Sequence, residues 1–128
     1  PGSRNPILSV HAFPGWFSLE SDQQHAWRWA GRRARMGMWN GAGESRRVRM
    51  SAQVVGASRG WLNLRLNGAD LRRVQIGREP VDFTDLNFTL PAGPSHLEWH
   101  FEGPLVRVRG DPRSLGFQAR NVEVTAEP

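Results

Sequence analysis

From Arg46 to Val55 the chain alternates strictly: Val48, Met50, Ala52 and Val54 hold one parity, and Arg47, Arg49, Ser51 and Gln53 hold the other. That is the period of a strand with one face in a core and the other in water. The same rule recurs in Leu62, Leu64 and Leu66, in Leu86, Phe88 and Leu90, and in Leu97, Trp99 and Phe101. It also holds for Leu8, Val10 and Ala12, for Ala34, Met36 and Met38, and for Val122 with Val124. No stretch keeps three-to-four spacing over a helical length, so the pattern predicts an all-β chain.

Turn residues punctuate these runs. Asn67-Gly68 lies between an alternating run over 61–66 and a second over 71–76, the strongest short-range signal for a tight hairpin. Gly41, Gly43, Gly56, Gly60, Pro91-Ala92-Gly93-Pro94 and Gly103-Pro104 break the remainder at intervals suited to an antiparallel two-sheet β-sandwich of about eight or nine strands. No internal repeat or low-complexity tract points to a solenoid or propeller. The loop from Asn40 to Ser45 is too short to separate domains, so residues 6–126 read as a single sandwich domain, with residues 1–5 a cloning remnant or linker.

Composition narrows the function. The chain has 128 residues, a net charge of +5 and no cysteine, which removes disulfides and thiolate metal sites. Its 17 basic residues are all arginine, a planar fork suited to carboxylate and phosphate; their spread along the chain equally fits a compositional bias. No apolar run approaches the ~20 residues that span a bilayer, so no direct membrane insertion by this domain is expected. There is no glycine-rich phosphate loop and no nucleophile elbow, so neither catalysis nor a cofactor is expected. Without a basic helix or an RNA-binding sheet motif, nucleic acid is not an expected partner.

The polar faces carry the candidate chemistry. Trp61, Asn63 and Arg65 fall opposite the leucines of their strand, and Trp39 shares its parity with Arg33 and Arg35. An indole beside amide and guanidinium donors is what a pyranose ring needs, its C–H face packing on the aromatic while its hydroxyls take hydrogen bonds. The competing reading is a tryptophan covering a sheet edge. His25, Trp27 and Trp29 share a face opposite Ala26, Arg28 and Ala30, and the tryptophans are expected to supply core volume. His96, Glu98 and His100 read as a solvated strand face; the histidines lie ~13 Å apart in a strand, too far to share a metal. Glu20 and Asp111 sit among arginines, which suits ion-paired carboxylates better than a general acid.

Two terminal motifs complete the picture: Gly15-Trp16 with Glu20 and Arg28-Trp29, and Asp111-Pro112-Arg113-Ser114-Leu115-Gly116-Phe117. Together, over Phe13 to Val124, they resemble the extracytoplasmic jelly-roll modules attached to bacterial membrane glycosyltransferases and related envelope-polysaccharide enzymes. The resemblance implies a jelly-roll type sandwich serving as a noncatalytic, carbohydrate-binding-like accessory domain. It would lie on the periplasmic or cell-surface side, tethered through a membrane-bound parent, with a glycan or polysaccharide and the parent glycosyltransferase as partners. The chain departs from the commoner form around Trp39 and in its arginine-rich strands. Trp16, Glu20, Arg28, Asp111 and Arg113 then form a second candidate glycan site or, if the chain ends meet, a structural clasp of charge-assisted hydrogen bonds. The alternative function is a protein-interaction or assembly module of an envelope protein, anchored by Trp39 and Trp61.

Overall fold

The computed structural model describes residues 8–12, 15–17, 20–21 and 26–127. Ten strands follow one another: β1 (Leu8–Ala12), β2 (Glu20–Ser21), β3 (Ala26–Ala30), β4 (Arg33–Asn40), β5 (Arg46–Gly56), β6 (Gly60–Leu66), β7 (Ala69–Ile76), β8 (Val81–Leu90), β9 (Gly93–Glu102) and β10 (Phe117–Ala126). Nine of them have five residues or more, and β2 has two. They form two five-stranded sheets: sheet A in the order β1-β4-β9-β6-β7, and sheet B in the order β2-β3-β10-β5-β8. Every pairing is antiparallel, and no described residue is helical. This is the expected jelly-roll sandwich.

Alternation produces the core. Val48, Met50 and Val54 of β5 meet Leu62 and Leu64 of β6 and Leu97, Trp99 and Phe101 of β9 in one buried cluster between the sheets. Met36 and Met38 of β4 and Phe88 and Leu90 of β8 complete it. Val122 and Val124 pack against it half-buried, beyond a register shift in β10 between Arg120 and Glu123. The side chains of Leu8, Val10 and Ala12, and His25 entirely, lie outside the described residues.

The hairpin between β6 and β7 forms at Asn67-Gly68, with φ of 51° and 86°, the two positive angles a two-residue turn with strand-matched twist requires. Its tip is tied to β9: His96 N donates to Asn67 Oδ1 (2.9 Å) and Asn67 Nδ2 to Ser95 Oγ (3.1 Å). A Cβ at Gly68 would touch nothing within 4 Å, so Gly68→Ala isolates the left-handed backbone cost. The expected loss is roughly 1–2 kcal/mol in urea unfolding, with an unchanged m-value.

One expectation is reversed. Trp27 and Trp29 do not enter the core. In the pairing of β3 with β10, Ala30 lies opposite Phe117 and Arg28 opposite Ala119; Phe117 and Ala119 point inward, and residues paired across a ladder share a face. Trp27 and Trp29, opposite Arg120 and Gln118, therefore face outward and half-buried, with the Arg120 guanidinium 6.0 Å from the Trp27 ring. The volume they were expected to supply comes from elsewhere. Trp16 meets Trp99 and Phe117 edge-on at 5.3 and 5.5 Å, and Trp99 stacks on Phe117 at 6.0 Å.

Candidate functional site

Antiparallel register arranges the outer face of sheet A in rows that run across the strands. Arg33, His100, Asn63 and Arg73 form one row, from β4 through β9 and β6 to β7. Arg35, Glu98, Arg65 and Asp70 form the next. Trp61 follows Asn63 on the same parity, opposite Glu102, and Trp39 lies farther along β4, opposite Pro94. The two indoles thus stand near opposite ends of a polar ribbon, 38% and 49% exposed.

The residues singled out as platform and donors are brought together, but each already has a protein partner. Arg73 lies over the Trp61 ring, 4.4 Å from its centroid. Glu102 holds it there, accepting from Arg73 Nη2 (3.2 Å) and from Asn63 Nδ2 (2.8 Å). Arg65 Nε donates to Asp70 Oδ1 at 2.8 Å. One face of the Trp61 indole is therefore taken by a guanidinium, while Trp39 has no such cover among the described residues. Arg33, Arg35 and Glu98 make no side-chain hydrogen bond or ion pair among the described residues, and they line a depression of about 320 Å³. A larger one of about 560 Å³ lies over Asn63, Arg65, Arg73, His100 and Glu102.

The charge of this face is visible in His100. Burial, then Arg33, holds its imidazole below the ordinary histidine value, Arg32 and Arg65 adding to the effect against Glu102. It is a neutral donor and acceptor at pH 7. Among the described residues no three His, Asp or Glu side chains group closely enough to hold a metal ion.

The second candidate cluster divides. Arg113 Nη1 donates to Glu20 Oε2 (3.1 Å), and its Nε and Nη2 donate to Asp111 Oδ1 and Oδ2 (3.0 and 2.8 Å). The guanidinium also sits 5.4 Å from the Phe17 ring centroid. Three of the four charged residues thus meet. Arg28 does not join them: its Nη1 donates to the Phe17 carbonyl at 3.1 Å. Trp16 instead donates from Nε1 to the Arg35 carbonyl (3.2 Å). Trp16 and Arg28 line an apolar cavity of about 230 Å³ at the margin between the sheets, with Ala26, Met36, Ala119 and Val122.

Geometrically the trio fastens β2 to the loop before β10. The Arg113 hydrogen bonds hold Asp111 below the usual carboxylate range, and the carboxylates in turn raise Arg113. A carboxylate whose pKa is lower folded than unfolded stabilises above its unfolded value, here 3.8, and that contribution disappears as pH falls through the folded value. Arg113→Gln should therefore lower the melting temperature at pH 7, and the gap from wild type should close on acidification below about pH 4. All three side chains are partly exposed, so the effect is modest and shrinks in high salt. A thermal melt series across pH checks it.

What the alternation did not reveal is the pairing on the outer face. Arg33 and Arg35 were visible beside Trp39, but that Arg65 and Arg73 are ion-paired depends on where β7 lies. The register shift between Leu64 and Arg65 in the β6–β7 ladder sets both Asp70 and Arg73 beside β6, and no local pattern announced it.

No family model matches the chain, and no curated protein sequence is similar to it. Solved structures share its fold. A family 4 carbohydrate-binding module superposes with a TM-score of 0.54 at 10% identity, over 99% of this chain and 92% of that one. The N-terminal cellulose-binding domain of Cellulomonas fimi β-1,4-glucanase C gives 0.54 at 11%, over 97% and 91%. An active-site mutant of a family two carbohydrate esterase from Clostridium thermocellum, in complex with a cello-oligosaccharide, gives 0.51 at 11% identity. The chain covers 32% of that esterase, about a third of its length. At these identities the likeness establishes the jelly-roll architecture.

Proposed function

We propose that this chain is a noncatalytic, carbohydrate-binding-like module that holds a glycan on the outer face of sheet A. One observation carries the reading: a ribbon of amide, imidazole and guanidinium groups lies between two exposed indoles, on a fold shared with a cellulose-binding domain and a carbohydrate-binding module. Both of those structures match over nearly their whole length, 92% and 91%. Glu20 and Asp111 are both tied to a single guanidinium, and Asp111 held ionised is no general acid for glycosidic chemistry.

Trp39 is the aromatic contact and the ribbon supplies the donors. Glu102 presents Arg73 on Trp61, so that end offers a stacked guanidinium rather than a bare ring. A shallow, open face of this kind gives millimolar to micromolar affinity, about −4 to −8 kcal/mol. In the setting we propose, the module is an accessory domain of a membrane glycosyltransferase on the extracytoplasmic side, positioning its polysaccharide. Protease accessibility of the domain in intact cells checks that side of the membrane.

Intrinsic fluorescence and calorimetry with a broad panel of envelope and plant oligosaccharides test the binding. Trp39→Ala should weaken the best ligand roughly tenfold, about 1.4 kcal/mol, while the melting temperature stays within error of wild type, since the ring is half exposed. If nothing in the panel perturbs the protein at millimolar concentration, the glycan reading fails. Concentration-dependent self-association without any glycan response would favour an assembly module instead.

A further inference from the structure

We propose that the glycan is acidic, and that Arg33 and Arg35 of β4 take its oxyanions. The inference rests on the outer face of sheet A being the glycan site.

Among the described residues, four arginines project from that face: Arg33, Arg35, Arg65 and Arg73. Two are neutralised within the protein, Arg65 by Asp70 at 2.8 Å and Arg73 by Glu102 at 3.2 Å. The other two are not. Arg33 and Arg35 make no ion pair or hydrogen bond among the described residues, although Glu98 lies opposite Arg35 in the ladder. With two guanidinium groups and one carboxylate, Glu98, the β4 side of the ribbon therefore keeps a net positive charge, whereas on the β7 side each guanidinium has its carboxylate.

His100, next to Arg33 across the ladder, reports the same field. Burial is the first cause of its lowered pKa, and Arg33, Arg32 and Arg65 add to it against Glu102; the arginines' share is the field that would attract an anion. Two residues apart on one strand, Arg33 and Arg35 leave on the same side ~6.7 Å from each other. Their planar forks can grip one oxyanion jointly or two on neighbouring sugars, by paired hydrogen bonds.

The rest of the row gives the ligand a direction. Stepping across the strands at ~4.8 Å each, Arg33 is followed by His100 and Asn63, neutral groups suited to hydroxyls. Toward β7, Arg65 and Arg73 are already paired with Asp70 and Glu102, so no guanidinium there is left for a second oxyanion. A sugar lying across the sheet is thus oriented with its acidic group over β4 and its hydroxyls toward β6. A neutral glycan would leave the two guanidinium groups of β4 without partners.

Calorimetric titration of a short oligogalacturonide, its carboxyl-reduced neutral counterpart and a sulfated oligosaccharide of matched length tests this, with wild type and the double variant R33Q/R35Q. We expect an acidic ligand to bind wild type at least about tenfold more tightly than the neutral one. The preference should fall with added salt and disappear in the double variant, whose exposed substitutions leave melting unchanged. Carboxylate and sulfate arms show which oxyanion is taken. Should the variant fold poorly, the length-matched acidic and neutral ligands and the salt dependence in wild type decide. Equal or tighter binding of the neutral oligosaccharide overturns the acidic assignment while the glycan site stands. An acidic preference surviving intact in a folded double variant removes Arg33 and Arg35 from it. Binding by none of these ligands or the wider panel overturns both readings.

Discussion

Replacing Trp99 by alanine should cost about 3–5 kcal/mol, much of the 5–15 kcal/mol that holds a domain of this size folded. Trp99 is fully buried on β9, the central strand of sheet A. Its indole stacks on Phe117 of the opposite sheet and meets Trp16 edge-on. Removing it opens a cavity where the two sheets and the segment before β2 converge, and two aromatic contacts vanish with it. Trp99→Phe should lose far less, about 1–2 kcal/mol. A ring remains in the stack, and the buried Nε1, which has no hydrogen-bond partner among the described residues, is removed with its desolvation cost. Urea unfolding of both variants provides the measurement. An alanine variant as stable as wild type would mean that this aromatic cluster does not join the sheets.

The second large effect is expected at Gly116. It belongs to the terminal motif Asp111 to Phe117, and the structure shows why that position excludes a side chain. Gly116 N donates to the Ala30 carbonyl (2.8 Å), and its own carbonyl accepts from Ala57 N (2.9 Å), so its backbone is fixed on both sides. A Cβ there would fall far inside contact distance of the Gly31 carbonyl oxygen and 3.1 Å from Phe101 Cδ2. Relief requires backbone to move, pulling β3 away from the start of β10. Gly116→Ala should therefore destabilise by about 1–3 kcal/mol or more. Gly77→Ala is the control: a Cβ there meets nothing within 4 Å, and the change should stay within about 0.5 kcal/mol. Similar losses at both positions would show that close approach at Gly116 is not what the motif requires.

These two residues also mark where the sequence was legible. Trp99 was placed in the core by alternation with Leu97 and Phe101, and the hairpin at Asn67-Gly68 was placed by turn chemistry, both local properties. The terminal motifs stood out as patterns, but their physical roles did not. Arg113 meeting Glu20, 93 residues away, and Gly116 lying against Gly31 are juxtapositions created by β10 pairing with β3.

Within β3, Ala-Trp-Arg-Trp-Ala presents one face of indoles and another of alanines with an arginine, and hydrophobicity alone favours burying the indoles. The structure turns the other face inward, burying Ala30, because Phe117 and Ala119 of β10 set which side of that ladder points inward. The candidate site follows the same division. Parity placed Trp61, Asn63 and Arg65 on a polar face and Arg33 and Arg35 beside Trp39, whereas the covering of Trp61 by Arg73 and the lack of partners for Arg33 and Arg35 came from neighbouring strands. The sequence by itself determined the strands, the central hairpin and the residues available to each face, since a two-residue period and a turn dihedral act over a few bonds. Tertiary structure decided which face of β3 is buried and which charges are neutralised, because both depend on ladders joining residues far apart in the chain.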